Sequence, residues 1–254
     1  MPRVLIAIVL LPALGYLALC ALLYFSQRSL LYFPQPRTAV ANATVMTLPS
    51  QGETLMVTSR PMDGAEAIVY FGGNAEDVSG NLPLLSAAFP RQAIYLLHYR
   101  GYGGSSGSPT EDALFADALA LFDKVHADHA KVTAIGRSLG SGVAIYLATR
   151  RPVAGLVLVT PYDSIQEIAA RRFPYFPVRW LLRDKFESWK FAPEITVPTL
   201  ILAAAHDEVI PGASTEALLA RFRPGLATCH VLPGTGHNDI SASPEYLGLL
   251  AAFK

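Results

Sequence analysis

Val132-Thr133-Ala134-Ile135-Gly136-Arg137-Ser138-Leu139-Gly140-Ser141-Gly142 is a short apolar run that turns through Gly-Arg-Ser-Leu-Gly into a segment of small residues. Val132–Ile135 has the brevity and β-branching of a buried strand, and the stretch Ser138–Arg150 reads as a helix. A serine between strand and helix sits on a strained turn with its hydroxyl held outward, the context in which a G-x-S-x-G pattern carries meaning. Gly140, Ser141, Gly142 and Ala144 keep the packing surface of that helix small. The bland alternative is a merely structural glycine turn; the strand before and the helix after favour a nucleophile.

Outward from this turn the same rhythm repeats. Ala67–Phe71, Ala93–Leu97, Leu156–Thr160, Thr199–Ala203 and Thr228–Leu232 read as further strands, each bounded by Gly, Pro or a charge. Between them, Glu111–Val125 carries Leu114, Phe115, Ala118, Leu121, Phe122 and Val125 at helical spacing. Ser108-Pro109-Thr110-Glu111 reads as its capping box, with proline in the first turn. Pro244–Phe253 predicts a last helix. Continuous apolar strands alternating with helices mean an α/β chain with a mostly parallel sheet covered on both faces. The segment 162–190 breaks the rhythm. With Arg171, Arg172, Phe173, Tyr175, Phe176 and Trp180, it predicts a small helical cap inserted over the sheet edge. Its aromatics have two readings: packing the cap onto the sheet, or resting among lipid acyl chains beside interfacial arginines.

A serine hydroxyl needs a base, and in this strand–turn–helix context the acid and then the histidine follow it in the chain. Asp207 stands just beyond Thr199–Ala203, and His237 follows in Gly234-Thr235-Gly236-His237, a loop after the last strand. Asp163 is the rival acid because it too follows a strand, and Glu208 ranks below both. His126 and His129 lie at the polar end of a helix and read as solvated; His98 and His230 read as structural. Oxyanion donors are expected from the backbone N–H of Leu139 and from the loop Gly72-Gly73-Asn74, with Asn74 preferred and Gly73 the alternative. The catalytic set is therefore Ser138, Asp207 and His237, with Leu139 and Asn74 as the oxyanion hole. Gly101-Tyr102-Gly103-Gly104-Ser105-Ser106-Gly107 has serine where a dinucleotide fingerprint needs glycine, and neither a phosphate-loop nor a metal-ligand spacing occurs. No cofactor and no metal are expected.

The 254 residues carry 20 Lys plus Arg and 20 Asp plus Glu, a balance without an electrostatic footprint for nucleic acid. Apolar residues make up 52%, and the excess sits in Val4–Phe25, where only Pro12 and Gly15 interrupt. As a helix this run spans about 33 Å, enough to cross the hydrocarbon layer. It ends in Leu22-Leu23-Tyr24-Phe25, a poor cleavage site for a signal peptide, and Leu19 before Cys20 suits a lipoprotein site badly. An uncleaved single-pass anchor is the expectation, with signal peptide and lipidation as alternatives. Residues 1–35 then form anchor and linker, closing on Pro34-Gln35-Pro36, and 36–254 the globular domain. Tyr32 and Phe33 serve either a membrane-interface belt or packing against that domain. Arg3 on one flank and Arg28 and Arg37 on the other leave the orientation weakly encoded. Cys20 and Cys229 offer no disulfide framework.

Together these residues resemble the alpha/beta-hydrolase superfamily. More narrowly, the chain is similar to single-pass, membrane-anchored serine hydrolases that include human protein depalmitoylases and many bacterial members. The resemblance runs from Gln27-Arg28-Ser29-Leu30-Leu31-Tyr32-Phe33-Pro34 through Gly73-Asn74-Ala75, Tyr99-Arg100-Gly101-Tyr102-Gly103 and Gly136–Gly142 to Asp207 and His237. The family commonly has histidine where Gly72 stands and aspartate where His98 stands. It implies an alpha/beta-hydrolase fold and cleavage of acyl esters or thioesters on a small-molecule or lipid substrate. Protein depalmitoylation is not carried over, because those relatives have a lipidated, cysteine-rich N-terminus. Alternatives are a serine peptidase of the same fold and a non-catalytic membrane-tethered binding protein. The alanine- and arginine-rich usage points to a bacterial chain, for which the inner membrane is the expected place of the anchor; the side of the domain is left open, with the periplasmic side preferred. Acyl length, protein partners and oligomeric state are not legible.

Overall fold

The computed structural model describes residues 2–253, with side chains from Val9 onward. Arg3 and the first side chains of the apolar run therefore lie outside the described set. Helix α1 (Pro2–Leu31) continues past Phe25, where the apolar run stops. The polar residues that end the run do not end the helix, because they have partners in the cap. Gln27 Nε2 donates to Leu181 O at 3.2 Å, and Gln27 Oε1 accepts from Arg183 N at 2.7 Å. Arg28 forms a forked pair with Asp184 at 2.9 and 3.2 Å. Val9–Leu31 has a mean hydropathy of 2.0, so α1 is long and apolar enough to cross a membrane.

Eight strands follow: β1 (Thr44–Ser50), β2 (Glu53–Arg60), β3 (Glu66–Phe71), β4 (Ala93–Leu97), β5 (Lys131–Arg137), β6 (Gly155–Val159), β7 (Thr199–Ala204) and β8 (Ala227–Leu232). They form one sheet in the order β1-β2-β4-β3-β5-β6-β7-β8. β2 runs antiparallel to β1 and β4, and all pairs from β4 through β3 to β8 are parallel. The chain steps from β3 to β4 on one side and then to β5 on the other. That reversal opens a crevice at the carboxyl ends of β3 and β5, where open α/β sheets place their sites.

The helices are α2 (Leu82–Ala88), α3 (Glu111–His126), α4 (Leu139–Arg150), α5 (Ile165–Arg172), α6 (Val178–Leu181), α7 (Ser188–Phe191), α8 (Gly212–Leu219) and α9 (Pro244–Ala252). In β3 the side chains alternate between two cores. Ala67, Val69 and Phe71 face the layer of α3 and α4, while Ile68 and Tyr70 face that of α2 and α9. This two-sided burial is why the strands read as continuous apolar runs.

Three local expectations are corrected. Helix α3 is capped by Thr110, whose hydroxyl accepts from Ala113 N at 3.1 Å, so Ser108 and Pro109 precede it. Glu111 faces the cap instead, accepting from Lys185 N and Phe186 N at 2.7 and 2.9 Å. His129 is buried, with Nε2 3.0 Å from Tyr95 Oη and Nδ1 2.9 Å from Gly64 O, rather than solvated. The cap aromatics do not pack onto the sheet: Tyr175 and Trp180 are 85% and 87% exposed, Phe173 is exposed, and Phe176 stacks on Tyr16 of α1. Tyr32 joins the core, whereas Phe33 stays exposed.

His98 is 2% exposed, with Nε2 2.8 Å from Thr58 Oγ1 and 3.3 Å from Ser79 Oγ. Gly103, at φ +60, lies so close over the ring that a Cβ there would meet Nδ1 at 2.1 Å. Burial lowers the imidazole pKa to about 4; Asp77 opposes this and Arg37 adds to it. The unfolded chain, titrating at about 6.5, then binds more protons than the fold as pH falls from about 6.5 to about 4. Stability at this site is complete above that window and falls through it by about 3 kcal/mol. Thermal melting of the purified chain should lose less stability between pH 7 and 4.5 in His98→Gln than in the parent. Identical pH slopes would contradict a buried neutral imidazole.

Candidate active site

Ser138 stands at the carboxyl end of β5 with φ +48 and ψ −117, a conformation that non-glycine residues adopt only under strain of order 1–3 kcal/mol. The surrounding packing imposes it. A Cβ on Gly140 would lie 2.0 Å from Phe71 O, so only glycine lets the start of α4 press against the end of β3. The turn thrusts the Ser138 hydroxyl into the crevice between β3 and β5.

His237 Nε2 lies 2.9 Å from Ser138 Oγ, and His237 Nδ1 lies 2.9 and 3.0 Å from the two carboxylate oxygens of Asp207. Both Ser138 and His237 are buried. Asp207 Oδ1 also accepts from Val209 N and Ile210 N at 2.9 and 2.6 Å. Burial works against its ionisation, but the hydrogen bond from His237 and those backbone donors outweigh it, holding the carboxyl below its usual pKa. The two loops are stitched together by His206 N donating to Thr235 O at 2.8 Å and His237 N to Glu208 Oε2 at 3.3 Å. Residues 99 positions apart thus meet as a hydroxyl, an imidazole and an ionised carboxylate in line, the arrangement a nucleophile and its base require.

Asp163 is placed elsewhere. Its carboxylate accepts from Ser214 Oγ of α8, and its backbone carbonyl accepts from Trp189 N at 3.0 Å. It ties the cap to α8. Glu208 sits beside His237 through the backbone bond only.

The loop after β3 lies against Ser138: a Cβ on Gly73 would be 3.4 Å from Ser138 Cβ. Gly73 N donates to Glu76 Oε2 at 2.7 Å. Among the described residues, the N–H groups of Asn74 and Leu139 meet no protein acceptor. The Asn74 side chain has a different task. Its Nδ2 donates to Leu31 O at 2.5 Å, and its Oδ1 accepts from Phe33 N at 3.0 Å and Tyr102 Oη at 2.9 Å. It clasps the end of α1 to the crevice.

Sequence reading missed Glu76. Its Oε2 takes both Gly73 N and Arg137 Nη1, the latter at 2.8 Å, and its Oε1 takes Tyr70 Oη and Asn81 Nδ2 at 2.7 and 2.6 Å. Arg137 Nη2 in turn donates to His237 O at 3.2 Å. A charged residue at the variable position of G-x-S-x-G, with an acid following Gly-Gly-Asn, was the available signal. No group of three or more metal-ligating side chains occurs among the described residues.

Residues 67–188 match the family model described as the alpha/beta hydrolase fold. An uncharacterized protein of Mycobacterium tuberculosis is 33% identical over 259 residues, covering 95% of this chain and 89% of that one. This chain therefore belongs to the alpha/beta-hydrolase superfamily. Human alpha/beta hydrolase domain-containing protein 17B is 34% identical over 164 residues, 63% of this chain and 55% of its own length. Among solved structures, the Pyrococcus furiosus esterase Pf2001 superposes with a TM-score of 0.68 at 16% identity, covering 86% of this chain and 97% of that one.

Glu76→Gln should lower hydrolase turnover by about 10- to 100-fold, because losing the Arg137 partner loosens the loop after β3 and the Ser138 turn together. Breaking a largely buried pair should also cost roughly 3 kcal/mol of stability. Steady-state kinetics and melting of the purified variant check both. An unchanged kcat would show that the crevice is held without this carboxylate.

Proposed function

We propose that this chain is a membrane-anchored serine hydrolase that cleaves acyl esters or thioesters through a covalent acyl-enzyme on Ser138. The observation that carries the reading is His237, hydrogen-bonded to the Ser138 hydroxyl on one side and the Asp207 carboxylate on the other. Ser138 Oγ attacks the substrate carbonyl and its proton passes to His237 Nε2. Asp207 holds the imidazole by Nδ1 and stabilises the imidazolium that forms. The carbonyl oxygen, now negative, is received by the N–H groups of Leu139 and Asn74. The C–O or C–S bond breaks, and His237 returns the proton to the departing alcohol or thiol. Water, deprotonated by the same imidazole, then releases the carboxylic acid and restores the serine.

The esterase named among the structural neighbours and the depalmitoylase resemblance both support acyl transfer. The apolar α1 supports the anchor, with the inner membrane and a periplasmic domain as its setting. The chemistry uses protein groups alone, and a small-molecule or lipid acyl substrate fits it.

Ser138→Ala should abolish labelling by a fluorophosphonate and hydrolysis of p-nitrophenyl esters while leaving the melting temperature near that of the parent. Labelling that persists in this variant would refute the nucleophile. Asp207→Asn should cost on the order of 10⁴-fold in kcat. Asp163→Asn should cost far less, and the reverse ranking would make Asp163 the acid. Turnover of aminoacyl anilides in preference to esters would replace the esterase reading with a peptidase.

A further inference from the structure

Between the last two turns of α1 and the cap lies an apolar cavity of about 290 Å³, lined chiefly by Leu23, Leu30 and Leu31 on one side and Ile165, Phe176 and Leu182 on the other. We propose that this cavity binds the alkyl chain of a membrane-resident acyl substrate, so that the anchor helix forms one wall of the substrate site. The inference rests on the esterase reading above and adds to it the class of acyl group.

Three observations converge on that occupant. The first is where the cavity ends. Leu31, one of its lining residues, has its carbonyl held by Asn74, which follows Gly73, where an added Cβ would stand 3.4 Å from Ser138 Cβ. Ser138 does not line the cavity itself, so an acyl chain lying in it would leave its carbonyl to cross the Asn74 loop to the nucleophile. The second is what the cavity opens beside. Its α1 wall belongs to the segment apolar enough to enter a bilayer, and Phe25 and Leu22 next to it are exposed. The cap reaches back along α1 as far as Tyr16, whose hydroxyl donates to Tyr175 O at 2.8 Å. With α1 inserted, the cap lies at the depth of the adjoining leaflet and lipid chains reach the cavity laterally.

The third is charge. Arg171, Arg172 and Arg183 are exposed on the same cap segment as the exposed Phe173, Tyr175 and Trp180, the combination of cations and amphipathic rings that a phospholipid interface accommodates. A purely protein partner would leave that pairing unexplained. From Leu23 to Leu31 the wall runs about 12 Å along the helix, the extended length of roughly ten methylenes. The cavity therefore suits a single medium-length chain rather than an acetyl group.

The test uses the full chain in detergent micelles and p-nitrophenyl esters from acetate to palmitate. The parent should favour decanoate over acetate by at least tenfold in kcat/KM. Ile165→Trp and Leu182→Trp, which fill the cavity, should shift that ratio toward one. A photoreactive diazirine-bearing decanoyl ester, incubated with Ser138→Ala, should crosslink to the peptide containing Leu23–Leu31. A flat chain-length profile, an unaltered ratio in both filled variants, or crosslinks confined elsewhere would overturn the proposal. So would a parent dimer, by light scattering, that dissociates in the filled variants, because the occupant would then be a second copy. Loss of Ser138-dependent turnover on every ester would instead count against the esterase reading itself.

Discussion

The Glu76 carboxylate is the constraint on which the arrangement of the crevice depends. It lies in the loop after β3 yet holds Gly73 of that loop, Arg137 at the end of β5 and, through Arg137, the carbonyl of His237. Three segments that meet only at the carboxyl edge of the sheet are thereby indexed to one another. Every lone pair that matters is used: Tyr70 and Asn81 complete the other oxygen. The guanidinium and three further donors surround this enclosed carboxylate and offset the cost of taking it out of water. The arginine is matched: burial alone would lower its pKa, but Glu76 raises it above the ordinary value. The strain in Ser138 is held by the same assembly, since relaxing the turn would pull Arg137 from its partner.

How much of this was legible depends on how local the signal is. The six parallel strands declared themselves because burial, on both faces in all but the edge strand β8, favours short runs dominated by apolar residues, and their bounds fall within about two residues of expectation. β1 and β2 did not. One is an edge strand carrying Pro49, both alternate weakly, and they are joined by Gln51-Gly52, with φ +47 and +84, in place of the usual Asn-Gly. The short helices α2 and α8 have too few turns for a period to emerge. The start of α3 at Glu111 was legible, but its capping box was misassigned because Ser108 and Thr110 are both plausible caps, and only the commitment of Glu111 to the cap segment decides between them.

At the site, chain order and loop context were enough to bring Ser138, Asp207 and His237 forward, since each follows a strand on the same sheet edge. The role of the Asn74 side chain was not available. Its partners, Leu31, Phe33 and Tyr102, belong to segments whose proximity no spacing rule encodes. The same holds for His129, which lies beyond the end of α3 and is bonded to Gly64 and Tyr95 from distant segments. Side chains that join distant loops are the part of a fold that linear pattern leaves unwritten.

The continuous helix α1 has one more implication. A tether with a flexible joint lets its cargo tumble above the surface and sample many headings. Here the rod is welded at both contacts: Gln27 and Arg28 to the cap, and the Leu31 carbonyl to Asn74. In a bilayer the domain would have no swivel on its helix, so its mouth would keep one inclination and one height relative to the surface. For a membrane-resident substrate, encounter would then be a planar search, in which lateral diffusion delivers molecules already pointing the right way up.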